Sequence, residues 1–77
     1  MRRVSNALSP KKLVLSKWTA VAPLGKDKHF LVTRVIEPVP PEGPIVSVEI
    51  EAVFSRRVQV IAWRQLTDPS QWRRGWV

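Results

Sequence analysis

Residues 45–54 alternate between apolar and polar side chains, and this pattern constrains the fold more than any other part of the chain. The residues of one parity are Val46, Val48, Ile50, Ala52 and Phe54, and those of the other parity include Ser47, Glu49 and Glu51. A period of two is typical of a β-strand with one buried face. One such strand leaves its apolar face and its backbone uncovered, so the chain must supply further strands to pair with it.

The residues that follow predict a hairpin partner for this strand. The apolar pattern resumes at Val58 and Val60 after a short polar stretch. Opposed residues in an antiparallel pair share a face of the sheet, so we expect Phe54 opposite Val58 and Ala52 opposite Val60. This register leaves Ser55-Arg56-Arg57 as the loop. The sequence therefore predicts a tight antiparallel hairpin whose two strands bury the same face.

The other elements are predicted by their β-branched and aromatic content and by their Gly and Pro residues. They are a short helix starting at Pro10, strands over 17–21 and 29–36, a proline-rich connector over 38–44 and a helical turn over 69–74. Together they predict a mainly β fold, a small SH3-like curled antiparallel sheet of three or four strands with a short C-terminal helical turn. We expect residues 1–9 to be a flexible basic N-terminus and residues 10–77 to form a single tryptophan-rich β domain.

Length and composition exclude several classes of protein. A chain of 77 residues has room for one domain, and 44% hydrophobic residues is ordinary for a folded globule. The chain has no cysteine, which excludes disulfides and thiolate metal sites. With His29 as its one histidine and no paired ligand spacing, it offers little for catalysis or metal binding. We therefore expect a non-enzymatic protein without cofactors, without a transmembrane segment and cytoplasmic in location.

Charge points to the class of partner. Thirteen Lys and Arg residues against six Asp and Glu residues give a net charge of +7, with basic ends and an acidic middle. Aromatic and cationic residues are interleaved, as in surfaces that stack bases and hold phosphates. The candidate binding residues are Lys17, Trp18, Lys28, Arg57, Arg64, Arg73, Arg74 and Trp76. Trp63 and Trp72 are predicted to pack in the core, which is the more common fate of a Trp in a small domain.

Two functions fit this pattern. The first is a small basic binding module for RNA or another polyanion. The alternative is a protein-interaction or assembly factor that docks an acidic protein partner through its basic face, with an exposed strand edge or a Trp as anchor. The two differ in salt dependence, because neutralising several phosphates makes binding steeply sensitive to salt.

Spaced motifs along the chain resemble a known family. They are Leu13-Val14-Leu15-Ser16-Lys17-Trp18-Thr19-Ala20, Lys28-His29-Phe30, Glu51-Ala52-Val53, Trp63-Arg64-Gln65-Leu66, and Trp72 with Gly75-Trp76. Over residues 10–77 the chain resembles the small tryptophan-rich bacterial proteins of unknown function found in cyanobacteria and gamma-proteobacteria. The resemblance implies no activity, substrate or catalytic residue.

Overall fold

The protein folds as one antiparallel β-sheet. The computed structural model describes residues 9–77, and the predicted flexible segment therefore lies, but for Ser9, outside the described residues. The strands are β1 (Lys17–Leu24), β2 (Asp27–Val35), β3 (Ser47–Ala52), β4 (Val58–Ala62) and β5 (Trp72–Arg74). Their order across the sheet is β4-β3-β2-β1-β5, so the first four strands form a meander and β5 pairs with the outer edge of β1. The mainly β prediction is confirmed, with five strands where three or four were expected.

The described residues also form two 3₁₀ helices, one at Pro10–Leu13 before β1 and one at Trp63–Thr67 between β4 and β5. The first confirms the helix predicted at Pro10. The predicted helical turn over 69–74 is wrong, because this stretch forms a turn followed by β5. Asp68 Oδ1 accepts hydrogen bonds from the amide and the hydroxyl of Ser70, and the chain then runs along the open edge of β1. Pairing with β1 outweighs the local helix signals.

The β1–β2 hairpin turns at Gly25 and Lys26, with Leu24 paired to Asp27. Gly25 has φ +62°, in the left-handed region that a tight hairpin turn requires and that glycine enters at little cost. The predicted first strand is confirmed, and it extends to Leu24. The predicted second strand is also confirmed, although β2 begins at Asp27, two residues before the predicted start.

The core lies on one face of the sheet and uses the large side chains that a small domain needs. Its buried residues are Leu13, Trp18, Phe30, Val32, Val48, Ile50, Ala52, Leu66 and Trp72. The rings of Phe30 and Trp72 meet edge to face, with centroids 5.2 Å apart. Trp63 packs against this cluster, and its indole N–H donates to the Ile45 carbonyl at 3.0 Å. Core packing of Trp63 and Trp72 is thus confirmed.

The predicted register of the β3–β4 hairpin is wrong. Val58 lies opposite Glu51 and Val60 opposite Glu49, a shift by an odd number of residues that moves the two valines to the other face. The physical reason is the loop, which runs over residues 53–56. Arg56 has φ +67°, a left-handed conformation that glycine usually adopts, and residues 53–56 include no glycine. The shift leaves Val58, Val60 and Phe54 exposed, whereas Val48, Ile50 and Ala52 are buried as predicted.

The strands form one open sheet, and its SH3-like closure stays a prediction. Residues from both edge strands nevertheless line one cleft, a space of about 380 Å³ with Gln59 of β4 on one side and Ala20 and Trp72 on the other. The sheet is therefore curved, so that β4 approaches the side of β1 and β5.

Candidate polyanion-binding surface

All six basic residues that the sequence analysis selected are exposed. They lie on different elements. Lys17 begins β1, Lys28 lies in β2, Arg57 precedes β4, Arg64 lies in the second 3₁₀ helix, and Arg73 and Arg74 lie in β5.

The ion pairs of the described chain use other arginines. Arg34 contacts Glu49 and Arg56 contacts Glu51, each with a nitrogen–oxygen distance of 3.4 Å. Within residues 9–77, none of the six selected bases takes part in an ion pair. Their charges are therefore available to an external anion.

The C-terminal residues fold back across the face of the sheet opposite the core. Gly75 has φ +86°, and its amide donates to the Lys17 carbonyl at 2.7 Å. The Thr19 hydroxyl then donates to the Gly75 carbonyl at 2.7 Å and accepts from the Val77 amide at 3.1 Å. Thr19 is buried beneath this segment, with 2% of its surface exposed. The Thr19 hydroxyl thus adds two hydrogen bonds to the backbone contact between residues 75–77 and β1.

Trp76 is held on this face with its ring partly accessible. Its indole N–H donates to the Phe30 carbonyl at 2.9 Å, and 43% of the residue remains exposed. The Lys17 ammonium lies 4.8 Å from the centroid of the ring, within the range of a cation–π contact. The His29 ring lies 6.1 Å from it, and His29 Nε2 is 3.0 Å from the Val77 backbone oxygen. An exposed aromatic ring and a cation are therefore fixed side by side.

Arg73 extends this arrangement, whereas Arg74 does not. Arg73 pairs with Thr19 across β5 and β1, which places it on the same face as Lys17 and Trp76. Arg74 pairs with Trp18 on the opposite face, and its guanidinium lies 5.7 Å from the Trp18 ring. We call the group Lys17, His29, Arg73 and Trp76 the tail patch.

Trp18 does not suit the stacking role that the sequence analysis gave it. It is 0% exposed, and its indole N–H donates to the Ser16 hydroxyl at 2.8 Å. It lies on β1 between Phe30 of β2 and Arg74 of β5, and it belongs to the buried core cluster. A base cannot stack on a ring with no accessible face.

The remaining selected bases lie away from the tail patch. Arg57 and Arg64 stand at the two ends of β4, near the other edge of the sheet, and the Arg64 guanidinium lies 5.2 Å from the Trp63 ring. Lys28 sits near the start of β2, beside the β1–β2 turn. The structure therefore divides the predicted residues between at least two separate surfaces.

Thr19 and His29 are the residues of the tail patch region that the sequence did not identify as binding determinants. Their contribution depends on contacts to residues 75–77, which are more than 45 positions away in the chain. The Lys28-His29-Phe30 motif is visible in the sequence, but nothing in the sequence connects it to Trp76.

A family model described as "Tryptophan-rich protein (DUF2389)" matches residues 16–77. The chain belongs to this family. The match begins one residue before β1 and includes all five strands, so the family region coincides with the sheet and the tail patch. Neither a curated protein nor a solved structure matches the chain.

Among residues 9–77 there is no helix long and apolar enough to cross a membrane.

Proposed function

We propose that this member of the tryptophan-rich family is a non-enzymatic basic module that binds RNA or another polyanion through the tail patch. The observation that carries the proposal is the fixed side-by-side placement of Trp76 and Lys17, with Arg73 on the same face and in no ion pair with any residue from 9 to 77. A single-stranded nucleic acid offers bases to an exposed ring and phosphates to adjacent cations. The net charge of +7 adds a long-range attraction for any polyanion.

Salt dependence provides a quantitative expectation. Two phosphate contacts, one each to Lys17 and Arg73, give a slope of about −1.4 for the logarithm of the affinity against the logarithm of the salt concentration. Raising the salt from about 50 to about 200 mM should then weaken binding about sevenfold. An apolar protein–protein contact would change far less over the same range.

The experiment is a titration of the purified protein with short single-stranded RNA, followed by intrinsic Trp fluorescence at both salt concentrations. Because Trp18 and Trp72 are buried, a quench on binding should come from an exposed ring, and Trp76→Phe should remove most of it. Absence of binding at low salt would refute the proposal and favour the acidic protein partner.

Arg73→Glu and Arg74→Glu form a matched pair for this test. They lie next to each other on β5 and change the net charge equally, but they face opposite sides of the sheet. Arg73→Glu should weaken RNA binding markedly more than Arg74→Glu and should flatten the salt slope. Equal losses in both variants would mean that binding follows overall charge and not the tail patch.

A further inference from the structure

Strand β4 is an edge strand without the usual protection against pairing. Among the strands of the described chain it pairs with β3 alone. Its five residues, Val58–Ala62, include no charged residue and no proline. Proteins usually protect an exposed edge with such residues or with a bulge, because a free edge offers backbone groups to another chain. The opposite edge, β5, carries Arg73 and Arg74.

The hydrogen bonds at the two ends of the β3–β4 ladder show which backbone groups face outwards. The Ala52 amide donates to the Arg57 carbonyl at 2.8 Å, and the Trp63 amide donates to the Val46 carbonyl at 3.0 Å. Residues that bond to the neighbouring strand alternate in an antiparallel ladder, so 59 and 61 also bond to β3. The N–H and C=O groups of Val58, Val60 and Ala62 therefore point away from the sheet.

The side chains of these outward residues are suited to contact another strand. Val58 and Val60 are each 57% exposed, and they stand on the face of the sheet opposite the core. Cross-strand contacts between β-branched side chains stabilise strand pairs. An added strand would cover both valines while it satisfies the outward backbone groups.

Charge indicates what kind of strand the edge accepts. Arg57 precedes β4 and Arg64 follows it, both are exposed, and neither is in an ion pair within residues 9–77. The adjacent carboxylates of Glu49 and Glu51 are already paired with Arg34 and Arg56. The edge is thus uncharged in the middle and positive at both ends.

We propose that the β4 edge binds an extended segment of an acidic partner protein, whose apolar residues pair with Val58 and Val60 and whose acidic residues flank them to meet Arg57 and Arg64. A second copy of this chain is a poor occupant. Each copy would bring the same exposed Arg57 and Arg64 to the contact, between two chains that each carry +7, so like charges would meet there.

This site is separate from the tail patch, and the inference does not rest on RNA binding. A test uses a synthetic nine-residue peptide with alternating Val and Thr in the centre and two Glu at each end, titrated into ¹⁵N-labelled protein. The amide signals of Val58, Val60 and Ala62 should shift and saturate at peptide concentrations of about 1 mM or lower. The same peptide with Lys in place of Glu should bind at least about tenfold more weakly.

Val60→Pro and Val60→Thr are the matched variants. The Val60 N–H faces outwards, so Val60→Pro removes a donor from the free edge without removing a bond to β3, and edge strands accept proline in that position. Val60→Pro should weaken peptide binding at least about tenfold, whereas Val60→Thr should retain it. Arg57→Ala combined with Arg64→Ala should weaken it about fivefold to tenfold. The amide spectrum of each variant shows whether the sheet is intact.

Four outcomes would overturn the inference. The first is the absence of shifts at β4 with the Glu-flanked peptide. The second is equal binding of the Lys-flanked peptide, and the third is a concentration-dependent dimer that Val60→Pro abolishes, which would make a second copy the occupant. The fourth is a shift of the β4 amide signals when RNA is added, without a corresponding shift when the peptide is added. Arg73→Glu should leave peptide binding within about twofold of wild type, so a failure of the RNA proposal and a failure of this inference give different results.

Discussion

Replacing Thr19 with valine should loosen the C-terminal segment on the sheet while leaving the core intact. Valine has nearly the shape of threonine, so no cavity forms. The variant loses two hydrogen bonds, the one that the hydroxyl donates to the Gly75 carbonyl and the one that it accepts from the Val77 amide. A net value of about 0.5–1.5 kcal/mol for each bond gives a loss of about 1–2 kcal/mol, since the exposed Val77 amide can bond to water instead. For a domain of this size, that is a substantial share of the free energy of unfolding.

The measurement is urea unfolding followed by circular dichroism. With a slope of about 1 kcal/mol per molar urea, the midpoint should fall by about 1–2 M. Amide hydrogen exchange at Val77 should become faster, while exchange in the β2–β3 ladder should change only by the global loss of stability. Because the same hydroxyl positions the segment that carries Trp76, the affinity for RNA should also fall.

Thr67→Val is the control for this prediction. The Thr67 hydroxyl donates only to the Arg64 carbonyl within the same 3₁₀ helix, and we expect a change of less than about 0.5 kcal/mol. If Thr19→Val were no more destabilising than Thr67→Val, the segment would not be held by Thr19 and the proposed geometry of the tail patch would be refuted.

Three further predictions concern the core, β5 and the turn before it. Trp18→Ala should cost about 3–5 kcal/mol, enough to unfold much of the protein at 37 °C, because the ring is fully buried; a folded variant with a melting temperature near that of wild type would contradict this. A chain ending at Thr67 lacks β5 and the buried Trp72, so its thermal midpoint should fall sharply, and an unchanged midpoint would show that β5 adds nothing to the sheet. The hydroxyl and amide of Ser70, together with the Gln71 side chain, lower the pKa of Asp68. A lowered pKa in the folded state stabilises the protein above the ordinary pKa of the carboxyl, and this stabilisation is lost as pH falls through the folded-state pKa. Urea midpoints measured across the acid range should therefore fall less steeply in Asp68→Asn than in wild type, and parallel curves would refute the assignment.

Local patterns predicted the elements that depend on local chemistry. The alternation at Val48, Ile50 and Ala52 placed β3 and its buried face correctly, and Pro10 marked the start of a 3₁₀ helix. The six bases proposed to bind a polyanion are all exposed, as expected of charged side chains without a partner, and their role in binding stays a prediction. None of these inferences needed information about distant residues.

The errors share a physical cause. The helical turn over 69–74 followed local capping signals, but β1 had a free edge that only the folded sheet presents. The register of β4 depends on the loop before it, in which Arg56 adopts a left-handed conformation that glycine usually adopts. In the same loop, the Ser55 hydroxyl donates a hydrogen bond to the carboxylate of Asp27, which is distant in the sequence. An odd shift in register then moved Val58 and Val60 from the core to the surface and created the uncharged edge.

The sequence alone therefore determined the class of fold, most of the buried face of the sheet and the basic character of the surface, since these follow from side-chain periodicity and composition. The tertiary structure decided which bases share a face and which tryptophan is accessible. Trp18 is fully buried in the core cluster, whereas Trp76 is 43% exposed and lies on the outer face beside Lys17. That difference is set by strand order and by the hydrogen bonds of Thr19, both of which join residues far apart in the chain.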